Sequence, residues 1–145
     1  MIRDISPEDK TVFLAMAEKL YSSEAVVQNV DSSIFETTFN TAINKSPYLR
    51  ALIIEDNNIP KGYALLSFTY ATEVGGLVVL LEELYISETC RGKGLGSEFI
   101  KFVEREYPSV KRYRLEVTKD NEKAIALYRR LGYKVLDYMQ MVKDL

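Results

Sequence analysis

The chain has 145 residues, 47% of them hydrophobic and 28% charged, enough to bury one core and too short for a second domain. A net charge of −2 excludes the global positive field that recruits nucleic acid or an anionic membrane, and mildly favours a cationic partner. One cysteine, Cys90, excludes an intrachain disulfide; with no histidine the commonest metal ligand and the usual neutral-pH base are missing, so no metal is expected and proton transfer falls to carboxylates, tyrosines or water.

Ile2, Arg3, Asp4 and Ile5 alternate as a first strand. Ser6, Pro7, Glu8 and Asp9 combine an N-cap, a proline at the first helical position and early acids, so a helix starts there. Val12, Phe13, Met16, Ala17 and Leu20 recur at three- and four-residue steps and carry that helix to about Tyr21. Residues 22–30 read as a loop. Asp31 caps a second helix whose apolar stripe is Ile34, Phe35, Phe39, Ala42 and Ile43, ending near Asn44. Residues 48–55 and 62–70 read as an antiparallel hairpin around the turn cluster Asp56, Asn57 and Asn58, and Glu73, Val74, Gly75 and Gly76 return the chain into a third strand ending at Ile86. A helix follows to about Glu106, then a strand over residues 112–117. The last helix is capped by Asp120 or Asn121, buries Ala124, Ile125, Leu127, Tyr128 and Leu131, and stops at Gly132; residues 133–143 read as a final strand. The fold class is mixed α/β, a mostly antiparallel twisted sheet with helices on both faces. No apolar run reaches the roughly 20 residues that cross a bilayer, and Arg3 and Asp4 replace a signal-peptide core, so a cytoplasmic protein with no membrane partner is expected.

Chemistry concentrates between the third strand and the helix that follows it. Arg91, Gly92, Lys93, Gly94, Leu95, Gly96 and Ser97 form a glycine-rich turn. It opens where a helix start offers unpaired backbone donors and a partial positive charge, which suits a phosphate. A Walker turn would need Lys-Ser or Lys-Thr after its last glycine, and a dinucleotide fingerprint would need glycine at position 97, where Ser97 stands. The remaining pattern, R-G-x-G-x-G, resembles the acyl-CoA pyrophosphate loop of the GCN5-related N-acetyltransferase (GNAT) superfamily. A second stretch, Val117 to Tyr133, is similar to that superfamily's other signature, V-x-x-x-N-x-x-A-x-x-L-Y-x-x-x-G-[FY], through Asn121, Ala124, Leu127, Tyr128, Gly132 and Tyr133.

The resemblance implies acetyl-CoA as co-substrate and direct attack of a primary amine on its thioester. It implies central strands that splay apart, with the pantetheine arm against the backbone of Leu84, Tyr85 and Ile86 and the pyrophosphate on the amides of residues 92–97, with Arg91 and Lys93 adding charge. Asn121 would fix a helix start and touch the cofactor arm. Tyr128 would sit near the sulfur and give the leaving thiolate its proton. The first two helices and their connection would shape the acceptor site.

Glu82 and Glu83 stand inside an otherwise apolar strand, where adjacent side chains point to opposite faces, so at most one is expected to face the cleft. Glu82 matches the first acid of the strand L-E-[DE]-[LF]-[FY]-[VI] in spermidine/spermine acetyltransferase-like members and is the candidate base or acceptor anchor. The acceptor would be a small amine, polyamine or amino-acid-like; a protein N-terminus or lysine, or a non-catalytic acyl-CoA-binding module, are the alternatives. A homodimer is a further implication of the resemblance.

Overall fold

A computed structural model describes Met1–Leu145 as a single five-stranded sheet carrying helices on both sides. In chain order the elements are β1 (Ile2–Asp4), a 3-10 turn (Pro7–Asp9), α1 (Lys10–Tyr21), α2 (Ser32–Ile43), β2 (Leu49–Asp56), β3 (Ile59–Ala71), β4 (Gly76–Ile86), a second 3-10 turn (Glu88–Cys90), α3 (Leu95–Glu106), β5 (Arg112–Leu115) and α4 (Glu122–Arg130). The strands lie in sequence order, the first four antiparallel and β5 parallel to β4. No helix is long and apolar enough to cross a membrane.

Because strand side chains alternate between faces, β2 and β3 divide their residues between two cores. Ala51, Ile53, Tyr63 and Leu65 meet Phe13, Met16, Ala17 and Leu20 of α1 and Phe35 and Phe39 of α2. Leu52, Ile54, Ala64 and Leu66 go the other way and meet Phe99, Ile100 and Val103 of α3. Covering both faces explains why β2 is buried continuously from Ala51 to Glu55. The β2–β3 turn uses Asn57 and Asn58 with φ of 51° and 60°, the left-handed pair that a two-residue hairpin needs. Arg3 joins β1 to the start of α1: its guanidinium forks onto Asp9 at 2.8 and 2.9 Å and its Nε donates to Glu55 at 2.8 Å. That pairing holds the Asp9 carboxyl below the usual carboxylate range.

Two expectations fail at the C-terminal side. The expected strand over residues 133–143 does not form; after Gly132 (φ 90°) the chain joins no helix and no strand ladder. The apolar side chains of α4 consequently remain half-buried or exposed, none of them fully buried, because no strand stands beside β5 to complete the layer they would cover. β5 itself ends at Leu115, two residues earlier than the expected strand, where its ladder with β4 stops.

Candidate active site

The β4–β5 ladder runs from Val78 with Arg112 to Leu81 with Leu115 and stops there. β4 continues to Ile86, so past Leu81 one of its edges has no strand beside it. The divergence opens a cleft of about 570 Å³. Its walls are Leu81, Glu82, Glu83 and Leu84 on β4, Leu115, Glu116, Val117 and Thr118 after the gap, Asn121, Ala124 and Tyr128 at the head of α4, and Leu20, Tyr21 and the loop from Ala25 to Val30. The connection between the first two helices thus lines the cleft as expected, whereas α2 itself does not.

At one end of the cleft β4 runs into the glycine turn. Gly92 and Gly94 have φ of 77° and 85°, where a Cβ is strained although nothing would crowd it. Gly96 has a different reason: a Cβ there would stand 3.3 Å from Leu127 and 3.7 Å from Ile86, so its bareness lets the turn close on both β4 and α4. The amides of Gly92, Lys93, Gly94, Leu95, Gly96 and Ser97 donate to no backbone carbonyl, although Arg91 N–H before them and Glu98 N–H after them do. Six backbone donors left without a carbonyl partner at a helix start suit an anion. Arg91 and Lys93 are exposed at the rim of the turn; Arg91 Nε donates to the Ile86 carbonyl at 3.0 Å, and Lys93 lies 3.8 Å from Asp56. Cys90 just before the turn is buried.

On β4 the ladder with β3 slips: Leu65 faces Glu83 but Leu66 faces Leu81, so Glu82 is an inserted bulge residue. The insertion reverses the phase of everything after it. Leu81 points toward α3, yet Glu83 and Tyr85 point toward α1. Both acids therefore line the cleft, which corrects the expectation that alternation admits only one. Glu82 is exposed and accepts from Ser67 Oγ at 2.5 Å. Glu83 is held on both oxygens: Tyr21 Oη donates to Oε1 at 2.6 Å and Tyr63 Oη to Oε2 at 2.7 Å. Burial, then the neighbouring carboxylate, raises both phenols well above the ordinary tyrosine range, so both keep their protons. Two donors on two oxygens match a carboxylate, which only accepts.

Leu84 lines the cleft, but the side chains of Tyr85 and Ile86 do not. Tyr85 is buried against Tyr63, with ring centroids 6.1 Å apart, and Ile86 packs toward α3; only their backbones can face the gap. Asn121 caps α4 by accepting from Ala124 N–H at 3.3 Å. Two helical turns on from the cap, Tyr128 looks into the cleft, its ring 5.9 Å from that of Tyr133. Burial pushes its phenol up, so it stays protonated through neutral pH and is available as a proton donor. The structure thus gathers Glu82, Leu84, Asn121 and Tyr128 around one cleft beside the glycine turn. It adds Glu83 and Tyr21 to the cleft wall, with Tyr63 bonded to Glu83 from the core side, three residues that local sequence rules do not single out.

Among the relatives, the Sus scrofa protein named thialysine N-epsilon-acetyltransferase is 30% identical over 94% of this chain and 85% of its own length. The Mus musculus protein of the same name is 28% identical over 90% and 82%. Among solved structures, a possible acetyltransferase from Clostridium difficile 630 superposes with a TM-score of 0.82 at 14% identity, covering 100% of this chain and 97% of that one. AAC(6')-Iy, solved with the bisubstrate analog CoA-S-monomethyl-acetylneamine, gives 0.81 at 14% identity over 100% and 97%. These two show the shared fold. The model of the acetyltransferase (GNAT) family matches residues 14–133, which takes in both signatures, the splayed strands and the cleft between them, and the chain belongs to that family.

Proposed function

We propose that this acetyltransferase moves the acetyl group of acetyl-CoA onto a primary amine of a small polycationic acceptor that has no carboxylate near its amine. The observation that carries the reading is the charge of the cleft. Glu82, Glu83 and Glu116 line it, and no lysine or arginine does. An ammonium entering that space meets opposite charge; an acceptor carboxylate finds no partner and is repelled. A diamine or polyamine fits better than an amino acid. The relatives' name supports an amino-acid-like acceptor such as thialysine as a second reading.

Acetyl-CoA supplies an activated thioester, and the fit rests on the bare amides and the gap. The amides of residues 92–97, with Arg91 and Lys93, hold the diphosphate; the backbone of Leu84, Tyr85 and Ile86 along the unpaired edge holds the arm, with Asn121 opposite. Glu83, fixed by its two tyrosines, anchors the acceptor as a fixed negative charge. Glu82 keeps one oxygen free of protein donors and is reached by water, so it takes the proton that the ammonium must lose before it can attack. A backbone N–H of β4 beyond the bulge meets the charge that develops on the carbonyl oxygen. Tyr128 protonates the departing thiolate. A cytoplasmic homodimer belongs to the same reading.

Thiol release from acetyl-CoA tests it, with spermidine and a plain diamine set against lysine, thialysine, an aminoglycoside and a lysine peptide. The polyamine should exceed lysine in kcat/KM by about tenfold or more, the factor that 1.4 kcal/mol of mispaired charge produces. Equal or better turnover of lysine or thialysine would reject the carboxylate-free acceptor, and turnover of the peptide alone would reject a small molecule.

A further inference from the structure

The side chains of β4 that pair with β3 are aimed by alternation, but Glu82 is the inserted residue and has no partner across the ladder. It is also exposed, and an exposed glutamate spreads over many rotamers unless something holds its carboxylate. The structure supplies one such hold. Ser67 stands half-buried on β3, opposite Leu80 of β4 and Leu49 of β2. It follows Leu65 by two residues and so shares the side of the sheet that faces α1. Its Oγ donates to Glu82 Oε1 at 2.5 Å, and neither side chain makes any other hydrogen bond or ion pair within the chain. Ser67 is not itself part of the cleft wall, whereas Glu82 is.

We infer that Ser67 is a positioning residue for acetyl transfer: by holding Oε1 of Glu82 it presents Oε2 to the cleft, where the ammonium of the acceptor enters. The inference deepens the proposed function and rests on Glu82 taking the proton there. A hydroxyl suits the task. It donates to a carboxylate through a short, charge-assisted bond and occupies only one of the two oxygens. Glu83, bonded on both oxygens, is by contrast held as a fixed charge. The serine bond also survives the transfer. When Oε2 takes the proton, Oε1 becomes the carbonyl oxygen of a neutral carboxyl and still accepts from Ser67, and the proton leaves to the water that reaches this exposed residue. A lysine or arginine in place of Ser67 would aim the carboxylate equally well but would cancel the negative charge that draws an ammonium into the cleft.

Thiol release from acetyl-CoA with spermidine, measured for Ser67→Val and Ser67→Thr, tests this. The two replacements have the same branched shape and differ in the hydroxyl, so packing and folding are matched. Ser67→Val should lower kcat by about three- to tenfold, the worth of one hydrogen bond, with KM for acetyl-CoA and for spermidine within about twofold. Ser67→Thr should keep kcat within about twofold of the parent. The same pair is then compared in the Glu82→Gln background, where no base remains to be aimed. There valine and threonine should turn over alike, whereas a hydroxyl serving only the sheet would cost the same factor in both backgrounds. Equal kcat for the two single variants, or an undiminished valine deficit beside Glu82→Gln, would overturn the inference. Failure of the underlying reading looks different. A silent Glu82→Gln would reject Glu82 as the base and this inference with it; a slow Glu82→Gln beside equal valine and threonine variants would reject the role of Ser67 alone.

Discussion

Tyr128→Phe is expected to lower kcat by about a hundredfold, the lower end of what a positioned proton donor contributes, while acetyl-CoA affinity stays within about a factor of two. The split follows from position. Tyr128 sits at the wall of the cleft nearly two turns into α4, while the anion cradle lies on a different helix, so removing one hydroxyl leaves the cradle intact. The phenol is raised by burial, so its acid form persists to higher pH than that of an exposed tyrosine. The alkaline fall of kcat that belongs to this group should therefore begin above the ordinary tyrosine value of about 10 and vanish in the phenylalanine variant. Steady-state rates against pH for both proteins check it, and an unchanged kcat would remove Tyr128 from the chemistry. The phenylalanine ring keeps the contact with Tyr133, so folding is not at issue.

Glu83→Gln separates anchoring from proton transfer. Losing a charge that is already oriented by two phenols should raise KM for a polyamine by roughly 10- to 100-fold, the worth of a hydrogen bond to a charged group, with kcat changed only a few-fold. Glutamine offers one acceptor and one donor to Tyr21 and Tyr63, so the network re-forms without collapsing the cleft. Glu82→Gln should do the opposite, lowering kcat by about tenfold or more with little change in KM. If Glu83→Gln loses kcat and Glu82→Gln loses only KM, the two roles are exchanged. If neither changes anything, the acids of β4 serve only the sheet.

How far the residues foretold the fold depends on whether a local rule decided the outcome. Pro7, Asp31, Asn121 and Gly132 mark helix ends by capping chemistry, and the elements begin or end beside them as their sequence neighbours require. The glycine turn was legible because Gly92 and Gly94 answer to backbone geometry alone. Glu83 was hidden because strand alternation is also a local rule, and one inserted residue at Glu82 cancels it; no pattern in Leu81, Glu82, Glu83 and Leu84 announces where a ladder slips. Tyr21 looked like the end of a helical stripe, and only the long-range register that brings β4 under α1 reveals its phenol as a donor. Residues 133–143 have a strand's composition, but composition does not fix pairing, and no strand of the sheet takes them as a partner.

The most direct test of the central claim is an amide-by-amide titration of the 16.6 kDa chain by heteronuclear NMR, with acetyl-CoA and, separately, with an acetylated pantetheine that lacks the diphosphate. Acetyl-CoA should shift the N–H resonances of Gly92, Lys93, Gly94, Leu95, Gly96 and Ser97 and protect them from exchange, while the fragment should move Leu84, Tyr85 and Ile86 and leave the turn unmoved. Saturable binding of acetyl-CoA that leaves those six amides where they were would contradict the account.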